Sequence, residues 1–220
     1  RYTDYEADLA AFMQGVVLPN CPLPYYGLAH SMGSAVLLRA AHAGQCWFER
    51  LVLLAPLIDL PRGRAPGALR ALIKTARRAG FGHSNVPGSN VDRSRAKGFP
   101  GNPLTTDPEH FARNAALIAA DPALAVGSPT FAWLDATFDA VMEFRRADYT
   151  ARITQPVLMV GAGGDTIVST PAIRAFAARL PHGALHVIAG ARHEILQERD
   201  AYRAEFWAAF DGFVAERAAT

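Results

Sequence analysis

Cysteine is scarce in this chain: Cys21 and Cys46 are the two among 220 residues. Neither falls in a CxxC or other metal-type pair, and two thiols cannot staple a chain this long, so a disulfide-rich scaffold and a dithiol redox centre are excluded. Both read as buried thiols that behave as small apolar side chains, with one bridge between them as the alternative. Long apolar runs are also lacking. LVLLAPLI, from Leu51 to Ile58, is the longest, far short of the roughly twenty residues that cross a bilayer. Charge of one sign is not in excess either: the formal net charge is +2, and Lys and Arg form no run of the kind that tracks a phosphate backbone. A nucleic-acid partner is therefore not expected. The stretch HEILQER is not HExxH, and His42, His83, His110, His182 and His186 show no ligand spacing, so no metal or other cofactor is implied.

The front of the chain lacks an initiator methionine and a signal-type apolar block. RYTDYEADLAAFMQGV instead reads at once as an amphipathic helix through Tyr5, Leu9, Phe12 and Met13, as if the sequence opened within a domain. A compartment is not legible from such a start; a cytoplasmic or peripheral membrane location fits a chain without a spanning segment.

Half of the residues are apolar, enough for one domain with a substantial core. Turn signals at Pro19, Pro22 and Pro24 lead into a strand that ends at Ser31, and a helix runs from Met32 to about His42, closed by Gly44. RLVLLAPLI, Arg50 to Ile58, is apolar on both faces, as a strand inside a parallel sheet should be. From about 61 to 150 the texture changes to Gly, Pro, Arg and Asn loops between helices. Helix starts are marked by Asp107-Pro108 and Asp121-Pro122, and Phe131, Leu134, Phe138, Val141 and Met142 recur at helical spacing. Strand texture returns in QPVLMVGAG. A helix capped by Thr170, the strand ALHVIAG and a closing helix with Tyr202, Phe206, Phe210 and Phe213 on one stripe complete the chain. The expected organisation is a core in two parts, 1–60 and 151–220, interrupted by a helical cap at 61–150. The fold class is α/β, a mainly parallel sheet flanked by helices.

Within that frame, Ser31 sits where an apolar strand breaks into a helix, with Ala29 two residues before and Gly33 two after. Small residues at that spacing permit a tight turn that pushes the serine hydroxyl above the sheet, a nucleophile elbow. A serine hydroxyl needs a base, and the base needs a group that fixes its tautomer. Asp165 follows the strand PVLMV in the glycine-rich loop GAGGDTIVST, and His193 follows the last strand in AGARHEIL. Each lies at the carboxyl end of its own strand, the edge where parallel sheets place ligands. The order Ser31, Asp165, His193 is that of the α/β-hydrolase triad. Asp59, at the end of the second strand, is an alternative acid. His30 adjoins the nucleophile and is expected to line the pocket floor or pack locally. The backbone N–H of Met32, at the start of the helix, is one oxyanion donor. Of the helical cap, Phe131, Trp133 and Phe138 are candidates, with His30, for contact with substrate.

AHSMGS, LVLLAPLID, GNPLTTDPEHFARNAALIAADPALAVGSPTFAWLDA, VGAGGDTIVS and GARHEILQERD together resemble the bacterial lysophospholipase and monoacylglycerol lipase branch of the α/β-hydrolases over nearly the whole chain. The resemblance implies a serine hydrolase cleaving carboxylic esters of single-chain lipids, with Ser31 as nucleophile, His193 as general base and acid, Asp165 as orienting carboxylate and Met32 as oxyanion donor. The partner implied is a small lipid ester, with transient contact at a membrane surface. Members of that branch carry earlier strands with a second oxyanion donor; about thirty residues precede Ser31, so the chain is expected to lack those strands. Two other readings compete: a non-catalytic remnant or binding module of the same fold, and a different chemistry on it, haloperoxidase or carbon-carbon hydrolase.

Overall fold

The computed structural model describes residues 1–61, 67–87 and 98–215. Loop texture read between those stretches lies outside the described residues. Four strands, β1 (Tyr26–His30), β2 (Arg50–Leu54), β3 (Val157–Ala162) and β4 (Gly183–Ile188), form one sheet in the order β1-β2-β3-β4, every neighbour parallel. The register pairs His30 with Leu54 and Leu54 with Val160, so the strands end at a common edge. β2 and β3 are buried at every position, which is why their sequences carry no polar alternation.

Seven helices of eight or more residues pack around the sheet among the described residues. α1 (Tyr2–Phe12) runs on through a widened turn at Met13–Val17; α2 (Met32–His42) follows β1; α3 (Gly67–Ala76), α4 (Pro108–Ala120) and α5 (Phe131–Phe144) lie between β2 and β3; α6 (Thr170–Ala177) follows β3; α7 (Asp200–Ala215) closes the chain. Between β2 and β3 the described residues contain no strand beyond a single bridge, Asn85 to Thr130. The core joins Leu38, Leu51, Leu53, Met159, Phe144, Phe176 and Phe206, all at or near zero exposure. Each such side chain contributes roughly 1.5–3 kcal/mol relative to exposure.

Several local expectations are corrected. Cys21 and Cys46 are both free and exposed. They sit in loops flanking β1 and β2, where the prolines and polar turns around them keep the chain at the surface. The face of α1 and of the turn that extends it carries Tyr2, Leu9 and Met13 inward at regular helical spacing, which leaves Tyr5 and Phe12 exposed. β2 stops at Leu54, four residues early: Ala55 takes φ +39°, and the chain turns so that Leu57 N–H donates to the Ser31 carbonyl at 3.1 Å. Ser169 rather than Thr170 caps α6, accepting from Ala172 N–H at 3.3 Å, while the Thr170 hydroxyl donates to the Ala162 carbonyl at 2.7 Å. Asp121-Pro122 opens only a three-residue turn, whereas Asp107 caps the full α4 through the N–H groups of Glu109 and His110. Met142, read as part of the packed stripe of α5, is exposed.

Candidate active site

The elbow is built by backbone. Ser31 has φ +53° and ψ −116°, a conformation costing a non-glycine residue of order 1–3 kcal/mol. Three hydrogen bonds hold it: Ser31 N–H to the Leu54 carbonyl (2.9 Å), Leu57 N–H to the Ser31 carbonyl, and the Ser34 hydroxyl to the Ala29 carbonyl (3.0 Å). A methyl added at Gly33 would meet the Ala29 methyl at an ordinary 3.8 Å, so the turn needs small residues on both sides without strictly requiring glycine.

Above the sheet edge, the Ser31 hydroxyl donates to His193 Nε2 at 3.0 Å, and His193 Nδ1–H donates to Asp165 Oδ2 at 2.7 Å. The other carboxylate oxygen, Oδ1, accepts from Ile167 N–H (2.7 Å) and Val168 N–H (3.0 Å), which fixes the carboxylate plane. The side chains of Asp165 and His193 are 0% and 6% exposed. The arrangement can pull a proton from the serine and hold the resulting imidazolium against a buried carboxylate. Asp59 is elsewhere: its carboxylate pairs with Arg145 at 2.7 Å. Met32 opens α2, so its N–H has no acceptor within the helix and lies at the positive end of the helix dipole. The Met32 sulfur accepts from Trp133 Nε1–H at 3.1 Å.

His30 Nε2–H donates to the His193 carbonyl at 3.0 Å, its ring 4.7 Å from the His193 ring. His30 stands exposed at the end of β1, yet the atoms crowded around its ring lower its pKa by desolvation, and proximity to His193 adds to that. A cavity of about 280 Å3 is lined by His30, Leu54, Asn114, Glu194, Ile195, Leu196 and Gln197. Burial raises the pKa of Glu194. A larger cavity of about 750 Å3 is bounded by Met32, Trp133, Ala132, Ala136, Tyr2 and Arg77, among others. Trp133 thus lines a cavity next to the elbow. Phe131 is half-buried and outside both linings, and Phe138, 4% exposed, is buried in the protein.

One feature escaped the sequence reading. Glu198 is fully buried, and its carboxylate accepts from Arg192 N–H (2.8 Å), Thr106 N–H (3.0 Å), the Thr106 hydroxyl and Arg199 N–H (3.3 Å). Around it Glu194 N–H donates to the Leu104 carbonyl (2.8 Å), the Thr105 hydroxyl to the Gln197 carbonyl (2.7 Å), and Arg192 Nη1 to the Asn102 carbonyl (2.8 Å). The loop bearing His193 is therefore laced to the segment 102–107. The only sequence signal was an acid five residues after the histidine, beside Arg199.

Comparison with known proteins identifies the family and the fold. The Hydrolase_4 family, described as serine aminopeptidase S33, matches residues 1–200. Lysophospholipase L2 of Escherichia coli K12 is 33% identical over 216 residues, covering 92% of this chain and 61% of its own. The chain thus spans about three fifths of the length of that relative. A Paleococcus ferrophilus monoacylglycerol lipase superimposes with a TM-score of 0.73 at 19% identity, over 97% of this chain and 75% of the other. A soluble variant of Saccharomyces cerevisiae monoglyceride lipase, solved with a substrate analog, gives 0.69 at 15% identity, over 97% and 68%. The fold is that of the α/β-hydrolases, and the chain belongs to the Hydrolase_4 family.

Proposed function

We propose that this chain is the serine-hydrolase body of an enzyme that cleaves carboxylic esters of single-chain lipids. The observation that carries the reading is the unbroken relay from the Ser31 hydroxyl through His193 to Asp165 at a strained elbow. Ser31 attacks the ester carbonyl while His193 Nε2 takes its proton; the carbonyl oxygen gathers charge beside the Met32 N–H. His193 then returns the proton to the departing alcohol, leaving an acyl-serine. Water, deprotonated by the same imidazole, releases the fatty acid and restores Ser31.

The larger cavity beside Met32 has apolar walls in Trp133, Ala132 and Ala136, which suit an acyl chain. The smaller cavity lies on the His193 side, from which the leaving oxygen is protonated, and its polar lining of His30, Asn114, Glu194 and Gln197 suits a hydroxylated alcohol. Lysophospholipid and monoacylglycerol are the substrates favoured, in line with the names of the relatives. Fatty-acid release from each, with and without Ser31→Ala, tests this. Release that survives the substitution, or cleavage of aminoacyl amides in preference to both lipids, would reject it.

A further inference from the structure

The smaller cavity is framed by two elements that are fixed to one another. Glu194 N–H donates to the Leu104 carbonyl at 2.8 Å, and Arg113 Nη2 on α4 donates to Gln197 Oε1 at 3.0 Å. Glu194 and Asn114 both line the cavity and are half-buried, yet neither side chain takes a hydrogen bond or an ion pair among the described residues. Polar groups in such a place are ordinarily matched. Leu54, Ile195 and Leu196, the apolar part of the lining, have no side-chain groups to match them, so their partners come from what enters the cavity.

The lining is also one-sided in charge. Among the described residues no Lys or Arg lines this cavity, and Glu194 carries its one full charge. His30 Nε2–H donates to the His193 carbonyl, which leaves Nδ1 an acceptor, and the lowered pKa keeps the ring uncharged at neutral pH. The cations carried on the same elements are engaged with neutral groups: Arg113 with Gln197, and Arg192 Nη1 with the carbonyls of Asn102 and Thr105. Burial already works against the charge on Glu194, so a donor that reaches it is gained in full, while a second anion there is opposed twice over.

We infer that Glu194 sorts substrates by the charge of the departing alcohol: with Asn114 it receives the free hydroxyls of an uncharged glycerol and turns away head groups that carry phosphate. The inference rests on the hydrolase reading, which seats the departing alcohol in this cavity, and narrows it to monoacylglycerol over anionic lysophospholipid. Glycerol hydroxyls can donate to the carboxylate and accept from the Asn114 amide. An ionised phosphate offers oxygens that only accept, and it would meet a carboxylate with no guanidinium in the lining to offset the repulsion. Size agrees, since about 280 Å3 is at the low end of ligand pockets and suits a small alcohol.

The test measures kcat/KM for oleate release from monooleoylglycerol, oleoyl lysophosphatidic acid and oleoyl lysophosphatidylethanolamine in the same neutral detergent micelles, with Ser31→Ala as the blank. Monooleoylglycerol should exceed lysophosphatidic acid by about a hundredfold. Glu194→Gln, which keeps the shape and removes the charge, should narrow that ratio at least about tenfold, and Asn114→Asp, which adds a charge at the same volume, should widen it. Each ratio is internal to one variant, so a general loss of activity does not move it. Ser31-dependent cleavage with a ratio near one, or a ratio unmoved by both substitutions, would overturn the inference and leave the hydrolase reading standing. So would a preference for lysophosphatidic acid lost selectively in Arg113→Ala, or a preference for lysophosphatidylethanolamine lost in Glu194→Gln, which would make Glu194 an ammonium site. No Ser31-dependent release from any of the three would overturn the hydrolase reading and this inference with it.

Discussion

The buried carboxylate of Glu198 accepts a hydrogen bond from the backbone N–H of Arg192 at 2.8 Å, one residue before His193. Through Thr106 the same group holds the segment that leads into α4. Glu198→Gln keeps the volume but exchanges one acceptor oxygen for an N–H₂ facing donors. We expect a stability loss of about 1.5–3 kcal/mol by thermal unfolding. We also expect kcat to fall about ten- to a hundred-fold with little change in KM, since the reacting geometry is displaced while the cavities remain. A stability loss with kcat unchanged would make Glu198 a purely structural anchor.

Asp165 and Asp59 both follow strands at the same sheet edge, yet only Asp165 reaches His193. Asp165→Asn should lower ester hydrolysis by about ten-thousand-fold, because the amide stabilises the wrong tautomer and no imidazolium. Asp59→Asn breaks a pair whose Arg145 side stands in solvent and should cost about 1 kcal/mol, with turnover retained. Kinetics on a soluble short-chain ester read both.

Two glycines differ in what surrounds them. A methyl at Gly163 would collide with the Ala189 carbonyl group, backbone that cannot step aside, whereas at Gly15 nothing lies within 4 Å. Gly163→Ala should therefore unfold or misplace the loop carrying Asp165, abolishing activity. Gly15→Ala, within the widened turn that extends α1, should stabilise by about 0.5–1 kcal/mol. Denaturant midpoints of the two variants compare them directly.

Much of this was legible in the sequence, for physical reasons. Ser31, Asp165 and His193 could be found because each follows an apolar strand with small residues beside it, a purely local pattern. Strands β2 and β3 announced themselves by unbroken apolar runs, the mark of burial on both faces. What was not legible was set by distant contacts. β2 ended early because Leu57 is recruited to the Ser31 carbonyl. Thr170 was free to bond Ala162 because Ser169 took the capping role. Phe131, Trp133 and Phe138 share a helical stripe, and only the packing partners of α5 decide that Trp133 meets a cavity while Phe138 is buried. Glu198 lacked any recognisable pattern, since two of its four donors come from Thr106, about ninety positions away.

Tyr149 gives a pH dependence with a definite sign. It is 3% exposed, stacked on His42 at 3.9 Å, and burial pushes its phenol far above the ordinary value of 10. Above pH 10 the unfolded chain loses this proton while the folded chain keeps it, so stability is whole below that value and falls as pH rises past it. The slope is about 1.4 kcal/mol per pH unit for one group until the folded phenol also ionises. Tyr149→Phe should flatten the alkaline limb of a stability-against-pH curve by that amount. An unchanged limb would show that the phenol ionises in the folded state as easily as in water.

The central claim is that Ser31 is an activated nucleophile, and covalent labelling by a fluorophosphonate tests it most directly. Intact-mass analysis of the 220-residue chain should show one adduct, mapped to Ser31, absent in Ser31→Ala and slowed by orders of magnitude in His193→Ala. A folded chain that stays unlabelled, or an adduct that persists in Ser31→Ala, would contradict the account.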